Sequence, residues 1–399
     1  MKPLASKSLI TSFLVLALLI PVSMVSSLVD ERKLRQSEVY TGMSNSWGGE
    51  NTVLGGIFLS FANETAMPDK TEIDGNIAAE TRQKGIFKIP FYTANLIIKG
   101  TFNSPSAREG KKILNLSLFN NHSAEVKYVR INGIEVPFSL RANNNIPNAL
   151  IIGNYSDIKN SGDINKTDIT VSVSIKGIDK LMFQQISKNT NITLKSNWTD
   201  PSFTGSILPS KRTIEPEGFQ AKWELSSLLN ASGKSPRILS EEDSFGFSLF
   251  MPVNVYSLTD RSIKYAVLFI GFTFLAFFLF EIFGQLKIHP FQYILVGFAL
   301  TIFYLLLLSL SEFINFALSY SAASAATIGL ITLYSGKILL ARKRTFIMGG
   351  MLTMLYSFLY ILLQLDQYSL ILGSVALFIV LASIMYLTRD VNWYELQER

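Results

Sequence analysis

Long apolar stretches divide this chain into distinct regions. Six segments of about 20 residues contain almost no charged side chains: 9–28, 265–283, 291–310, 313–336, 346–365 and 368–388. A helix needs about 20 apolar residues to cross the ~30 Å hydrocarbon core of a bilayer. We therefore predict a membrane protein with one N-terminal transmembrane helix and a C-terminal bundle of five more transmembrane helices.

The region between the first and second apolar segments has the pattern of a β-rich domain. Residues 113–119 and 169–175 alternate apolar and polar side chains with the period of two that is typical of strands. The pairs Asp74-Gly75 and Asn132-Gly133 and the three asparagines at 143–145 are turn signals. These patterns favour a sandwich-like antiparallel or mixed β fold.

The predicted domains follow from these two patterns. Residues 1–29 form the membrane anchor, 30–262 the β-rich domain, 263–390 the helical bundle and 391–399 a short tail. The first segment could instead be a cleaved signal peptide, because small residues at 25–27 follow its apolar run. We favour the uncleaved anchor, since the run is long for a signal peptide.

Basic residues near the predicted spans indicate their orientation, because Lys and Arg prefer short cytoplasmic loops. With the N-terminus inside, the inner segments carry eight of them: Lys2, Lys7, Lys287, Lys337, Arg342, Lys343, Arg344 and Arg389. The short outer turns carry Glu312 and Asp366 and no basic residue. We therefore expect both termini inside and the β-rich domain outside.

Composition limits the chemistry that the chain can perform. It has no Cys and only two His, which excludes disulfides and thiol catalysis and disfavours zinc sites. Lys and Arg are scattered or lie at helix ends, so the net charge of +6 predicts no nucleic-acid partner. No catalytic set, phosphate-binding loop or cofactor motif is present. We expect a protein that is not an enzyme and holds no cofactor or metal, and the sequence leaves its oligomeric state open.

Residues 197–223 are unusually rich in aromatic residues, Pro and Gly. We expect a structured loop that crosses the domain and is anchored by its aromatic side chains. A binding site for a partner or a lipid headgroup is the alternative, because aromatic residues lie close to basic ones. The candidates are Trp198, Asp200, Pro201, Phe203, Lys211, Arg212 and Trp223.

Glu281 is the one charged residue inside a predicted span. A carboxylate in lipid is costly, so it normally faces the bundle or pairs with a partner. We expect it to pair with the following loop, where Lys287 and His289 are the nearest candidates. A proton or substrate relay, or a conformational role, stays open. His289 precedes Pro290 at a helix start, which indicates a structural His rather than a catalytic one.

Three further charged residues lie at the predicted outer ends of spans. Glu312 occupies a short turn, where it could cap the next helix or mark a site facing the exported domain. Asp260 and Arg261 precede the second span and could form a local ion pair that orients the domain on the membrane.

The order of several motifs resembles that of the CreD family of bacterial inner-membrane proteins, nearly from end to end. The matching elements include Ser46-Trp47-Gly48-Gly49, Gly218-Phe219-Gln220-Ala221, Leu258-Thr259-Asp260-Arg261, His289-Pro290, Leu310-Ser311-Glu312 and Tyr386-Leu387-Thr388-Arg389-Asp390. The resemblance implies an inner-membrane location and a role in cell-envelope integrity, colicin tolerance and the response to β-lactams and other envelope stress.

Three classes of function fit these observations. The first is an envelope-integrity protein whose periplasmic domain binds or scaffolds envelope proteins, glycans or lipids. The second is a transporter or lipid-handling protein in which Glu281, Ser309, Ser311 and Glu312 line a path through the bundle. The third is a membrane-embedded enzyme acting on wall or lipid precursors, which few polar residues support.

Overall fold

The structure is a computed structural model of the chain. It describes residues 3–61, 64–103, 112–144, 148–155, 166–226, 243–249, 255–284, 286, 288–339, 341–365 and 369–389. The chain divides into two units. The helical unit comprises residues 1–35 and 253–399, and the β unit comprises residues 36–252. The predicted tail at 391–399 and Lys287 lie outside the described residues.

Seven helices are described, and six of them contain the predicted spans. They are α1 (Pro3–Trp47), α2 (Val255–Lys264), α3 (Ala266–Gly284), α4 (Pro290–Ser311), α5 (Phe316–Ile338), α6 (Arg342–Gln364) and α7 (Ser369–Thr388). Within the described part of the chain, α1 and α3–α6 are long and apolar enough to cross a membrane. The described apolar stretch of α7 is shorter, Ile371–Tyr386. The predicted fold class, an N-terminal apolar helix, a β-rich region and C-terminal apolar helices, is confirmed.

One stripe of α1 packs into the helical unit. Leu18, Val22, Val25 and Val29 are all buried, and their spacing of four, three and four residues places them on one helix face. A Cβ at Gly297 of α4 would lie 2.1 Å from the Leu18 Cδ1 atom. The absent side chain at Gly297 therefore lets α1 approach α4 closely, as small residues do in membrane helix pairs.

The β unit is built from one large mixed sheet of fifteen described strands. They are β1 (Glu50–Phe61), β2 (Glu64–Ala66), β3 (Lys70–Lys84), β4 (Phe87–Asn103), β5 (Lys112–Phe119), β6 (Glu125–Ile131), β7 (Ile134–Val136), β8 (Arg141–Ala142), β9 (Ala149–Asn154), β10 (Lys166–Phe183), β11 (Asn189–Ser196), β12 (Pro201–Gly205), β13 (Lys211–Glu215), β14 (Gly218–Ser226) and β15 (Phe245–Leu249). The strands predicted at 113–119 and 169–175 are β5 and part of β10.

Strand β10 organises the sheet because it changes partners along its length. Its first part pairs antiparallel with β4 and β6, and its last residues lie between β1 and β15. The change falls at Asp179, which has a left-handed φ of 63° and accepts a 2.7 Å hydrogen bond from the Ser248 hydroxyl. The β1–β10 and β3–β11 pairs are parallel, so the sheet is mixed rather than wholly antiparallel.

The turn signals had different outcomes. Asn132 and Gly133 form the predicted two-residue turn between β6 and β7, with φ angles of 49° and 83° that suit a tight hairpin. The turn predicted at Asp74-Gly75 is wrong, because both residues lie inside β3. A Cβ at Gly75 would lie 2.6 Å from side-chain atoms of Leu96 and Leu194. This glycine serves close packing between strands rather than chain reversal.

Candidate functional site

A group of ionisable side chains from three elements meets within the helical unit. We call it the charged cluster: Arg32, Lys33, Tyr256, Asp260, Lys264 and Glu312. The two basic residues of α1 follow Val29 by three and four positions, so they continue the buried stripe of that helix. Helix periodicity therefore points both cations toward the elements against which α1 packs.

Asp260 lies in α2 between two ammonium groups. Its carboxylate is 3.1 Å from Lys264 Nζ, one helix turn on, and 3.4 Å from Lys33 Nζ of α1. Burial alone would raise the pKa of Asp260, but the hydrogen bond to Lys264 and the charge of Lys33 hold it below its ordinary value. The described ion pairs of Asp260 are therefore with Lys264 and with Lys33 of α1, in place of the predicted local pair with Arg261. Arg261 lies half-buried in the last turn of α2.

We expect Asp260→Asn to lower the free energy of unfolding by about 0.5–1 kcal/mol at neutral pH. Since the folded pKa is depressed, the contribution is present above the unfolded pKa of about 4 and is lost as the pH falls through the folded value. The difference between wild type and variant should thus persist from pH 7 to 5 and vanish in stronger acid. Thermal unfolding of the purified protein at several pH values measures this.

Asp30→Asn is the matched control for that prediction. Asp30 also lies near Lys33, at 3.6 Å, but its side chain is 63% exposed. We expect a smaller change in melting temperature, because solvent screens an exposed pair. Equal effects of the two variants, or an Asp260→Asn difference that survives in strong acid, would contradict the assignment of this ion pair.

Glu312 joins the charged cluster from the end of α4. Its Oε1 atom accepts a 3.2 Å hydrogen bond from the Tyr256 hydroxyl and lies 3.5 Å from Arg32 Nε. Burial and then the negative charge of Glu312 raise the pKa of Tyr256 to about 12. The predicted cap is wrong, since Asn315 caps α5 by accepting from the Leu318 amide at 2.9 Å. Asn takes this place because its short side chain reaches the first-turn amides.

Glu281 is buried near the end of α3 and has two described partners. Its carboxylate accepts hydrogen bonds of 3.2 Å from the Tyr293 hydroxyl and from the Ile288 amide. The predicted pairing with the following loop is present at Ile288. His289 instead caps α4, with its Nδ1 atom accepting from the Phe291 amide at 3.2 Å. The structure therefore gives His289 a structural role.

Glu281 and Glu312 lie at opposite ends of α4. Glu281 bonds to Tyr293 in the first turn of that helix, and Glu312 follows its last residue. At 1.5 Å per residue the 22 residues of α4 separate these ends by roughly 30 Å. Between them, Ser309 is exposed and Ser311 bonds to the Leu308 carbonyl of its own helix. These four polar residues therefore do not converge on one site.

The aromatic-rich segment at 197–223 is mostly sheet, so the predicted loop is wrong. It contains β12, β13 and the start of β14: β12 pairs with β15, and β13 pairs with β14. Trp223 is fully buried and donates from Nε1 to the Ile207 carbonyl at 3.3 Å. Phe203, half-buried, packs edge-on against it with ring centroids 5.9 Å apart. The predicted aromatic anchoring is present, and it anchors strands.

The other candidates of this segment lie at or near its surface. Trp198 is half-buried and donates from Nε1 to the carbonyl of exposed Asp200 at 3.1 Å, beside half-buried Pro201. Lys211 and Arg212 are exposed in β13. They lie in the strand next to β14, where they pair with Lys222 and Ala221 beside buried Trp223.

Strand β13 combines basic and apolar exposed side chains. All five of its residues are exposed, and Ile214 has 51% of its surface accessible. Leu208, just before it, is 62% exposed. Among the described strands β13 pairs with β14 alone, at the end of the sheet. We call residues 208–215 the β13 edge.

Sequence patterns missed several members of these sites. Tyr256, Lys264 and Tyr293 were not among the predicted site residues, since Tyr and Lys are common near the ends of membrane spans. Arg32 and Lys33 could have been found by extending the apolar stripe of α1 one further turn. Across the described ranges, no three His, Asp or Glu side chains converge into a position for a metal ion.

Comparison with known proteins identifies a family and a relative that match most of the chain. The family model described as "Inner membrane protein CreD" matches residues 3–65 and 60–394. The Inner membrane protein CreD of Escherichia coli (strain K12) is 30% identical, over 95% of this chain and 91% of its own length. A solved structure from Legionella pneumophila is 8% identical with a TM-score of 0.28, over 55% of this chain and 77% of that one, a similarity too low to support an argument.

Proposed function

Because the chain belongs to the CreD family of inner membrane proteins, we propose that it maintains the integrity of the bacterial envelope under wall stress. In this proposal it binds an envelope component through its β unit and catalyses no reaction. The observation that carries the proposal is the β13 edge, an exposed terminal strand with apolar and basic side chains on a well-packed sheet.

The proposal places both termini in the cytoplasm and the β unit in the periplasm. Lys337 lies at the end of α5 and residues 342–344 begin α6, whereas Glu312 lies before the other end of α5. Short cytoplasmic loops favour basic residues, so this distribution supports the orientation. It also retains α1 as an uncleaved anchor. Cleavage near residue 27 would remove Leu18, Val22 and Val25 from the core of the helical unit.

An extended protein segment suits the β13 edge. Strand addition supplies main-chain hydrogen bonds, and exposed side chains on alternate positions supply specificity. Lys211 and Arg212 favour a segment with acidic residues, while Ile214 and Leu208 offer apolar contacts. The buried aromatic rings of Phe219 and Trp223 in the neighbouring strand hold β13 in place.

We expect a photo-crosslinking amino acid at position 214 or 208 to capture one discrete envelope component in living cells. Mass spectrometry of the adduct identifies it. The same probe at Ile134, which is 62% exposed in the β6–β7 hairpin, is the matched control and should give no such adduct. The substitutions Lys211→Glu and Arg212→Glu together should abolish the adduct through charge repulsion while leaving protein abundance unchanged.

Two results would contradict this proposal. Identical adducts from positions 214 and 134 would mean that capture reflects exposure rather than recognition. A Lys211→Glu, Arg212→Glu variant that fully restores the permeability barrier of the envelope and β-lactam tolerance to a deletion strain would show that the β13 edge is dispensable. The variant Lys84→Glu, Lys88→Glu makes the same charge change in exposed residues of the β3–β4 hairpin and serves as its control.

Transport or lipid handling is the second candidate function. One observation favours it: Glu281 is buried in the helical unit and bonded to a tyrosine hydroxyl. Such a pair could relay a proton. The separation of Glu281 from Glu312 argues against a single path lined by both.

A further inference from the structure

A cavity of about 330 Å³ opens between α5 and α6, at the end of the helical unit opposite to Glu312. It is lined by Gly336, Lys337, Ala341, Arg342, Thr345 and Phe346. Two cationic side chains therefore border a space large enough for a phosphate and its neighbouring atoms. We propose that this cavity binds the phosphate of an anionic phospholipid headgroup.

The basic residues of this turn lack carboxylate partners in the part of the chain that the structure describes. No ion pair joins Lys337, Arg342, Lys343 or Arg344 to a described Asp or Glu. The first turn of α6 contains no acidic residue, and the side chain of Ala341 cannot cap it. Three adjacent cations at a helix N-terminus oppose the helix dipole, so a bound anion would stabilise this end.

The four cations have different surroundings. Arg344 reaches the last residue of α3, since a Cβ at Gly284 would lie 2.6 Å from its Nη1 atom. A cation is favourable there, at the C-terminal end of a helix. Lys343 is exposed and does not line the cavity. Lys337 and Arg342 face the cavity, which separates them from a merely solvated basic loop.

Apolar side chains beside the cavity favour a lipid over free phosphate. Phe346 lines the cavity and is 77% exposed, and Leu333, one turn earlier on α5 than Lys337, is 79% exposed. Ile347 is 51% exposed on α6. Acyl chains covering these residues would bring a headgroup to Lys337 and Arg342. Basic pockets between transmembrane helices are a known arrangement for anionic headgroups.

Binding of phosphatidylglycerol to the detergent-purified full-length protein, measured by native mass spectrometry, tests the proposal. We expect Lys337→Gln with Arg342→Gln to weaken this binding about tenfold, because two cations near a headgroup are lost. Lys343→Gln with Arg342 intact removes a neighbouring charge that does not line the cavity, and it should change binding less than about twofold. Phosphatidylcholine should bind the wild type more weakly than phosphatidylglycerol.

A charge-conserving variant is the control that distinguishes lost binding from misfolding. Arg342→Lys should keep most of the binding, and size-exclusion profiles of all variants should match that of the wild type. Equal losses in Lys343→Gln and Arg342→Gln would overturn the proposal in favour of diffuse attraction to basic charge. Displacement of the lipid by millimolar inorganic phosphate would overturn it in favour of a free-phosphate site.

Discussion

Replacing Trp223 with alanine is expected to destabilise the β unit by about 3–5 kcal/mol, the usual cost of truncating a buried Trp. The indole is fully buried, and its Nε1 atom donates to the Ile207 carbonyl. It also packs against Phe203 and Phe245, with ring centroids 5.9 and 6.2 Å away. Urea unfolding of the detergent-purified full-length protein, followed by far-ultraviolet circular dichroism, measures the loss.

Trp198→Ala is the matched control, because it removes the same side chain from a half-buried position in the same segment. We expect it to cost clearly less than Trp223→Ala, since fewer buried contacts are lost. A Trp223→Ala variant with wild-type stability and a lost binding activity would contradict the structural role assigned to Trp223. It would place Trp223 in a recognition surface instead.

Substitutions at the β13 edge and in the strand beside it should have different effects. Trp223 lies in β14, the strand that pairs with β13, so its loss disturbs the edge and lowers abundance together. Lys211 and Arg212 are exposed, and their substitution should change binding alone. Only variants of the second kind can test recognition.

The fold could be predicted where the pattern is local. Apolar runs of about 20 residues marked the spans, because a bilayer demands them. Alternation marked β5 and part of β10. The pairing of the strands could not be predicted, because a strand such as β10 changes partners at Asp179 through contacts distant in sequence. Gly75 was misinterpreted since turns and close packing both select glycine.

The charged cluster could be predicted only in part for a similar reason. Asp260 and Glu312 stood out because charges at the ends of apolar spans are informative. Their partners Lys33 and Arg32 come from a helix more than 200 residues earlier in the chain. Only the packing of α1 against the other helices brings these residues together, and no spacing rule within a segment contains that information.

At Glu281, alanine and glutamine substitutions separate a structural role of the carboxylate from a role as a proton relay. We expect Glu281→Ala to lower the stability of the helical unit by about 2–4 kcal/mol, because the Tyr293 hydroxyl and the Ile288 amide lose their buried acceptor. Glu281→Gln keeps an amide oxygen that can accept one of these bonds, so it should cost about 1 kcal/mol or less. Thermal unfolding in detergent measures both.

The functional readout of the same two variants then decides between the candidate functions. If Glu281 only anchors the α3–α4 loop, Glu281→Gln should restore the permeability barrier of the envelope and β-lactam tolerance to a deletion strain. Glu281→Ala should restore them less, in proportion to its lower abundance. Glutamine cannot release a proton as a carboxylic acid does. A Glu281→Gln variant that is normally abundant yet inactive would therefore favour the relay, and with it transport, over the binding function proposed for the β unit.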